Sequence, residues 1–137
     1  MDMDRDGAGG DGAAPSILVV EDNALMRKLF VRCLEEGGYE VAEATDARTV
    51  LERMRDLRPD LVVMDIVMPN LSGVEVIRQI RAAADLAATP VVAVTNLASD
   101  ADRRRLSDAG FDAHMPKPVK PKELQSVVAG FLKAPTA

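Results

Sequence analysis

The chain has 137 residues and a formal net charge of -5, with a sequence pI near 4.9. This length fits one domain with a single core. Because aromatic residues make up only 3% of the chain, that core must be aliphatic. The acidic balance argues against a nucleic-acid-binding surface, which needs a basic face to pair with phosphates. We therefore expect no nucleic-acid partner.

The sequence also indicates the cellular compartment. Cys33 is the only cysteine, which excludes an intramolecular disulfide and suits a reducing environment. No apolar run approaches the roughly 18 residues of a membrane span. The N-terminus lacks the basic flank and apolar stretch of a secretory signal. These features predict a cytoplasmic protein without a membrane partner.

The two ends of the chain differ in composition from the rest. Gly, Ala and Asp dominate residues 1–14, which have too little apolar surface to offset the entropy lost on ordering. We predict a disordered acidic tail there and a single folded domain over residues 15–133. Residues 134–137 should form a frayed C-terminus.

Short apolar runs alternate with amphipathic stretches along the domain. The run at residues 39–43 has partly alternating polarity, as expected of an edge strand. In chain order the predictions are strand 16–20, helix 24–36, strand 39–43, helix 47–57, strand 61–64, helix 74–84, strand 90–95, helix 98–109, strand 112–115 and a helix carrying residues 124–132.

The apolar positions of these helices recur at intervals of three and four, which is typical of a helix with one face against a sheet. Leu29, Leu57 and Phe131 are among the positions assigned to the inner faces. Asp46 and Ser72 are candidate N-caps of the second and third helices. The fourth helix offers few apolar side chains, so we expect it to be loosely held.

Alternation of strand and helix predicts an α/β fold, a doubly wound parallel sheet with helices on both faces. If the chain runs outward to the weak second strand and then crosses back to the third, the five strands take the order 2-1-3-4-5. Such sheets bind ligands outside the carboxyl ends of the strands, at the switch point. Glu21, Asp22 and Asp65 follow the two strands that meet there and should share one crevice.

Three carboxylates in one crevice repel one another unless a cation shares it. Oxygen ligands without His or Cys select a hard cation, and Mg2+ takes one or two carboxylates while keeping several waters. Such an ion would neutralise the oxygens of a phosphoryl group and orient it toward Asp65 as the nucleophile. Thr95 and Lys117, at the ends of the next two strands, supply a hydroxyl and an ammonium suited to phosphoryl oxygens.

These residues resemble the receiver domain of bacterial two-component response regulators, over residues 16–132. The segments that carry the resemblance are LVVEDN with its acidic pair, DIVMPNLSG with a phosphoacceptor loop, VVAVT with a switch hydroxyl, and KP. The resemblance implies a flavodoxin-like (βα)5 fold and a stand-alone regulator of chemotaxis or cell-cycle type. It implies a signalling switch that catalyses only its own phosphorylation and dephosphorylation.

By the same resemblance, Asp65 accepts a phosphoryl group from the phosphohistidine of a sensor histidine kinase or histidine phosphotransfer protein. Asp22, Asp65 and the backbone carbonyl of Val67 bind Mg2+ directly, while Glu21 helps through water. Lys117 contacts the phosphoryl group. The signal then passes to a downstream protein target through altered binding.

The resemblance also describes a switch in which Thr95 moves toward the phosphate on activation. The bond between Lys117 and Pro118 is expected to be cis. Asn96 stands where a small residue is common, and His114 stands where the family usually carries an aromatic residue. His114 either fills the space that Thr95 vacates or is a passive, partly exposed side chain on an edge strand.

Three other classes of protein compete with this interpretation. A haloacid-dehalogenase-like phosphatase also uses a strand-end Asp and Mg2+, but it carries a second acid two residues on, where this chain has Val67. A nucleotide-binding module lacks support because neither a Gly-rich fingerprint nor a P-loop follows a strand. A receiver-like scaffold that works without phosphorylation is the third, and phosphate incorporation from a small phosphodonor discriminates it.

Overall fold

The computed structural model describes residues 14–67, 72–96 and 99–132. The strands in these ranges are β1 Ser16–Val20, β2 Glu40–Ala44, β3 Leu61–Asp65, β4 Val91–Thr95 and β5 Ala113–Pro116. The helices are α1 Ala24–Glu36, α2 Val50–Leu57, α3 Gly73–Ala82, α4 Asp100–Ala109 and α5 Pro121–Phe131. None of these described helices has the length and apolar character of a membrane span. The tail predicted over residues 1–14 lies, except for residue 14, outside the described residues, and so does the C-terminus predicted over residues 134–137.

The five strands form one parallel sheet in the order β2-β1-β3-β4-β5. This confirms the predicted fold class and strand order. Every residue of β3 and β4 is buried, because helices cover both faces of the centre of the sheet. β2 lies at an edge, where Glu40 and Glu43 are exposed.

Two apolar clusters flank the sheet. Successive strand residues point to opposite faces, so Leu18 belongs to one cluster and Val19 to the other. Helices α2, α3 and α4 contribute to the first cluster, and α1 and α5 to the second. Cys33 lies in the second cluster and is buried. Each fully buried aliphatic side chain contributes about 2 kcal/mol to stability.

The prediction that Leu29, Leu57 and Phe131 face the core was wrong, since they are 52%, 39% and 40% exposed. All three residues fall on the apolar face that the helical period defines. That face is broader than the part of the helix surface that packs against the sheet. Next to Leu29, the larger Phe30 takes the inward place and is 4% exposed. Leu57 and Phe131 end their helices, so no further turn covers them.

Two helix starts also differ from the predictions. Asp46 accepts a hydrogen bond from the backbone N–H of Arg48 and caps a 3-10 turn, Ala47–Thr49, rather than α2 itself. The fourth helix begins at Asp100, because the Ser99 side chain caps it there. The other elements begin and end within a few residues of the predicted positions.

Candidate functional site

The carboxyl ends of β1 and β3 lie side by side. Val20 on β1 pairs with Met64 on β3, so the residues that follow leave the sheet together. One carboxylate oxygen from each of Glu21, Asp22 and Asp65 lies within 4.8 Å of the others. Glu21 and Asp65 are buried and Asp22 is exposed, which places the cluster at the mouth of a crevice.

Among the described residues, two groups donate hydrogen bonds to Asp65. Lys117 Nζ donates to Oδ2 at 3.0 Å, and the backbone N–H of Val67 donates to Oδ1 at 3.1 Å. A carboxylate this buried requires such partners, because an unpaired buried charge is costly. The strand pairing sets the position of Lys117, whose backbone N–H donates to the carbonyl of Thr95 at 2.9 Å. The peptide bond between Lys117 and Pro118 is cis.

The pKa of Glu21 lies well above its ordinary value. Burial raises its pKa to about 7, and repulsion from Asp65 adds to the effect. Oε2 accepts a hydrogen bond from the backbone N–H of Asn23 at 3.0 Å. Within the described residues, Oε1 is buried and has no hydrogen-bond partner. An orphaned carboxylate oxygen among oxygen-only donors fits a hard divalent cation such as Mg2+.

The remaining predicted site residues lie around this cluster. Thr95 ends β4 and is 1% exposed. Asn96 follows it and is exposed. Val67, two residues after Asp65, is 69% exposed at the rim. His114 is half-buried on β5, away from the acidic cluster in the sheet order.

The start of α3 packs closely against the turn that follows Asp65. Ser72 and Glu75 form a reciprocal capping box at this helix start. The backbone N–H of Gly73 donates to the carbonyl of Ile66 at 2.9 Å. A Cβ atom on Gly73 would lie 2.9 Å from the Ile66 Cα and 3.0 Å from the Asp65 carbonyl oxygen. Glycine at this position lets the helix approach the backbone of the site.

Gly73→Ala should therefore destabilise the protein by about 1–3 kcal/mol, the usual cost of overpacking, because its contacts are backbone atoms. Gly130→Ala is the matched control, since Gly130 lies in α5 and, among the described residues, no atom outside its own stretch of helix backbone lies within 4 Å of a new Cβ. That variant should gain up to about 1 kcal/mol from helix propensity. Urea unfolding of both proteins measures the difference, and equal stability would show that α3 can shift without cost.

Sequence reasoning missed Arg27, which contacts the turn that carries Glu21 and Asp22. Its guanidinium donates to the carbonyl of Glu21 at 3.0 Å and forms an ion pair with Glu43 at 2.8 Å. In the sequence Arg27 reads as a polar position of an amphipathic helix. Only the β1–β2 pairing, which brings Glu43 close, reveals the contact.

The parallel sheet in the order 2-1-3-4-5, with acids at the ends of β1 and β3 and a lysine after β5, defines a flavodoxin-like domain with a receiver-type site. The family model for the response regulator receiver domain matches residues 17–129. The chain therefore belongs to the response regulator receiver family, as the sequence motifs predicted. Receiver domains act as signalling switches.

Several known proteins are similar to this chain over most of their length. The polar-differentiation response regulator DivK of Brucella anthropi is 35% identical over 117 residues, which are 85% of this chain and 95% of DivK. Chemotaxis protein CheY4 of Vibrio cholerae superposes with a TM-score of 0.82 at 27% identity, covering 88% of this chain and 100% of CheY4.

A third relative bears on the metal. The receiver domain of sensor histidine kinase PA1611 from Pseudomonas aeruginosa superposes with a TM-score of 0.79 at 31% identity, covering 87% of this chain and 98% of that domain. In that structure a magnesium ion is coordinated in the active-site cleft.

Proposed function

We propose that this protein accepts a phosphoryl group on Asp65 and signals through altered binding to a downstream protein. The donor is the phosphohistidine of a sensor histidine kinase or histidine phosphotransfer protein. One observation carries the proposal: Asp65 is buried at a strand end, 3.0 Å from Lys117 Nζ and within 4.8 Å of two further carboxylates. Membership of the receiver family supports the same reaction.

In the proposed transfer, a carboxylate oxygen of Asp65 forms a bond to phosphorus. The P–N bond of the phosphohistidine breaks, and its electron pair stays on the imidazole nitrogen. Lys117 is placed to donate to the phosphoryl oxygens, and charge-assisted hydrogen bonds of this kind are strong. Thr95 supplies a hydroxyl at the end of the neighbouring strand.

We infer that Mg2+ is held directly by Asp22, Asp65 and the backbone carbonyl of Val67, with Glu21 acting through water. The orphaned Oε1 of Glu21 and the oxygen-only donor set support this assignment. When bound, the ion neutralises charge on the phosphoryl oxygens. The exposed Asp22 leaves the site open to the donor.

The switch is proposed to run from Thr95 to His114. On β5, His114 pairs with Ala93 of β4, two residues before Thr95, so all three side chains lie on one face of the sheet. Ala93, between them, carries only a methyl side chain. A shift of Thr95 toward the phosphate opens space that a half-buried imidazole fills. The passive alternative for His114 predicts no change in its burial on activation.

Incubation with phosphoramidate, whose P–N bond resembles that of phosphohistidine, tests the proposed function. We expect Mg2+-dependent phosphoryl incorporation that a chelator abolishes. A receiver-fold scaffold that works without phosphorylation would take up no phosphate under either condition, and that result would overturn the proposal.

The lifetime of the phosphoryl group should be long, because hydrolysis needs a water oriented in line with the Asp65–phosphorus bond and an apolar rim orients none. Val67 is exposed at this rim, and Leu97, which lies outside the described residues, is proposed to flank it. Val67→Asn combined with Leu97→Glu should shorten the half-life by up to about 100-fold, the lower end of what a positioned general base contributes.

Phosphate release after removal of the phosphodonor measures this effect. Val67→Leu, which keeps the rim apolar, is the control and should not accelerate release. If the double variant loses phosphate no faster than the parent, the rim does not control the lifetime.

A further inference from the structure

Arg27 lies near the start of α1, and its side chain, 17% exposed, reaches back over the turn between β1 and α1. Nε donates to Oε1 of Glu43 on β2 at 2.8 Å. Nη1 donates to the carbonyl oxygens of Glu21 at 3.0 Å and Asp22 at 3.4 Å. One side chain therefore ties the edge strand to the turn that carries two acids of the site.

The two contacts with the turn use backbone carbonyls, so Arg27 does not engage the carboxylates of Glu21 and Asp22. The charge of Arg27 is matched by Glu43, and the carboxylates of Glu21 and Asp22 stay grouped with Asp65 within 4.8 Å. A peptide unit is planar, so fixing a carbonyl also fixes the plane on which the side-chain direction depends. The guanidinium suits this task because its donors form a rigid fork.

The other contacts of the turn hold different groups. The backbone N–H of Glu21 donates to the carbonyl of Ala44 at 3.1 Å. The side chain of Asn23 caps α1 by accepting from the N–H of Met26 at 3.0 Å. The carboxylate of Glu21 itself accepts from the backbone N–H of Asn23 at 3.0 Å. None of these contacts holds the carbonyls of Glu21 and Asp22, which Arg27 does.

We propose that Arg27 is a positioning residue for the metal site, with Glu43 as its counter-ion. It holds the turn so that the carboxylates of Glu21 and Asp22 face Asp65 before the ion arrives. This inference rests on the proposed Mg2+-dependent function. Partners that orient metal ligands typically contribute about 10-fold to 100-fold in affinity.

Arg27→Met tests the proposal through the sign of its effect on Mg2+ affinity. Electrostatics alone predicts tighter binding, because a positive charge near a cation site has been removed. Positioning predicts weaker binding. Arg53→Met is the matched control: Arg53 donates to the backbone carbonyl of Glu43 at 2.7 Å, so this variant removes one charge and one hydrogen bond on the same edge residue.

Titration calorimetry of the unphosphorylated full chain with Mg2+ gives the dissociation constants. We expect Arg27→Met to raise the constant about tenfold and Arg53→Met to leave it unchanged or lower it. Phosphorylation by phosphoramidate should then need more Mg2+ but reach the parent rate at saturation. An unchanged or lower constant for Arg27→Met would overturn the inference.

Arg27→Lys provides a second route if circular dichroism shows that Arg27→Met does not fold. Lysine keeps the positive charge but lacks the forked donors of the guanidinium. Positioning therefore predicts weaker Mg2+ binding, whereas electrostatics alone predicts an unchanged affinity. Affinity equal to the parent would then overturn the inference. A parent protein that does not bind Mg2+ would instead overturn the proposed function, so the two failures are distinguishable.

Discussion

Asp65→Asn will abolish phosphoryl incorporation from phosphoramidate. The amide has nearly the shape of the carboxylate, so the turn held by the N–H of Val67 should survive the substitution. The amide of asparagine, however, carries no anionic oxygen that could attack phosphorus. Asn also leaves the Lys117 ammonium, 3.0 Å from Oδ2 in the parent, without its charged partner.

Asp60→Asn is the matched control because Asp60 immediately precedes the same strand, at its opposite end. Its carboxylate accepts a hydrogen bond from the backbone N–H of Ser16 at 2.8 Å, far from the acidic cluster in the sheet. Labelling with radioactive phosphoramidate should be retained in this variant and reduced to background in Asp65→Asn. Undiminished labelling of a folded Asp65→Asn protein would refute the assignment.

Glu21→Gln will stabilise the Mg2+-free protein at about pH 8, by up to about 3 kcal/mol, since one pKa unit corresponds to about 1.4 kcal/mol. The pKa of Glu21 rises from 4.5 to about 7 on folding, chiefly through burial. Below pH 4.5 Glu21 is protonated in both the folded and the unfolded state, so its burial as a charged group does not lower the free energy of unfolding. Between pH 4.5 and about 7 the folded state binds more protons, so stability falls as pH rises.

Urea unfolding of both proteins across this pH range, with a chelator present, measures the difference. The advantage of Glu21→Gln should vanish near pH 4.5 and level off above about 7. Mg2+ favours the ionised carboxylate, so adding it should stabilise the parent more at high pH than at low pH. If the free energies of unfolding of the two proteins changed with pH in parallel, burial would not raise the pKa of Glu21, and the prediction would be wrong.

The topology was predictable because the physical causes are local. Apolar runs followed by amphipathic stretches specify strands and helices, and the partly alternating polarity of residues 39–43 predicted the edge strand, which the structure has at Glu40–Ala44. The edge position of the second strand fixes the strand order. In that order β1 and β3 are neighbours, so the acids at their carboxyl ends must meet. Single positions such as Asp65 could therefore be placed in the site from the sequence.

Contacts that depend on tertiary approach could not be predicted. The hydrogen bonds of Arg27 require the pairing of β1 with β2, which brings Glu43 within 2.8 Å of its guanidinium. The role of Gly73 depends on how closely α3 approaches Ile66. Exposure of Leu29 depends on which of two adjacent apolar residues faces the sheet, and the helical period does not decide that.

Locating the phosphoryl group in the parent protein tests the central claim most directly. After incubation with phosphoramidate and Mg2+, borohydride reduces an aspartyl phosphate to homoserine, and peptide mass spectrometry identifies the residue. The proposed function predicts conversion at Asp65 alone, and none when Mg2+ is chelated. Conversion at Asp22, or at any other acid with Asp65 intact, would contradict it.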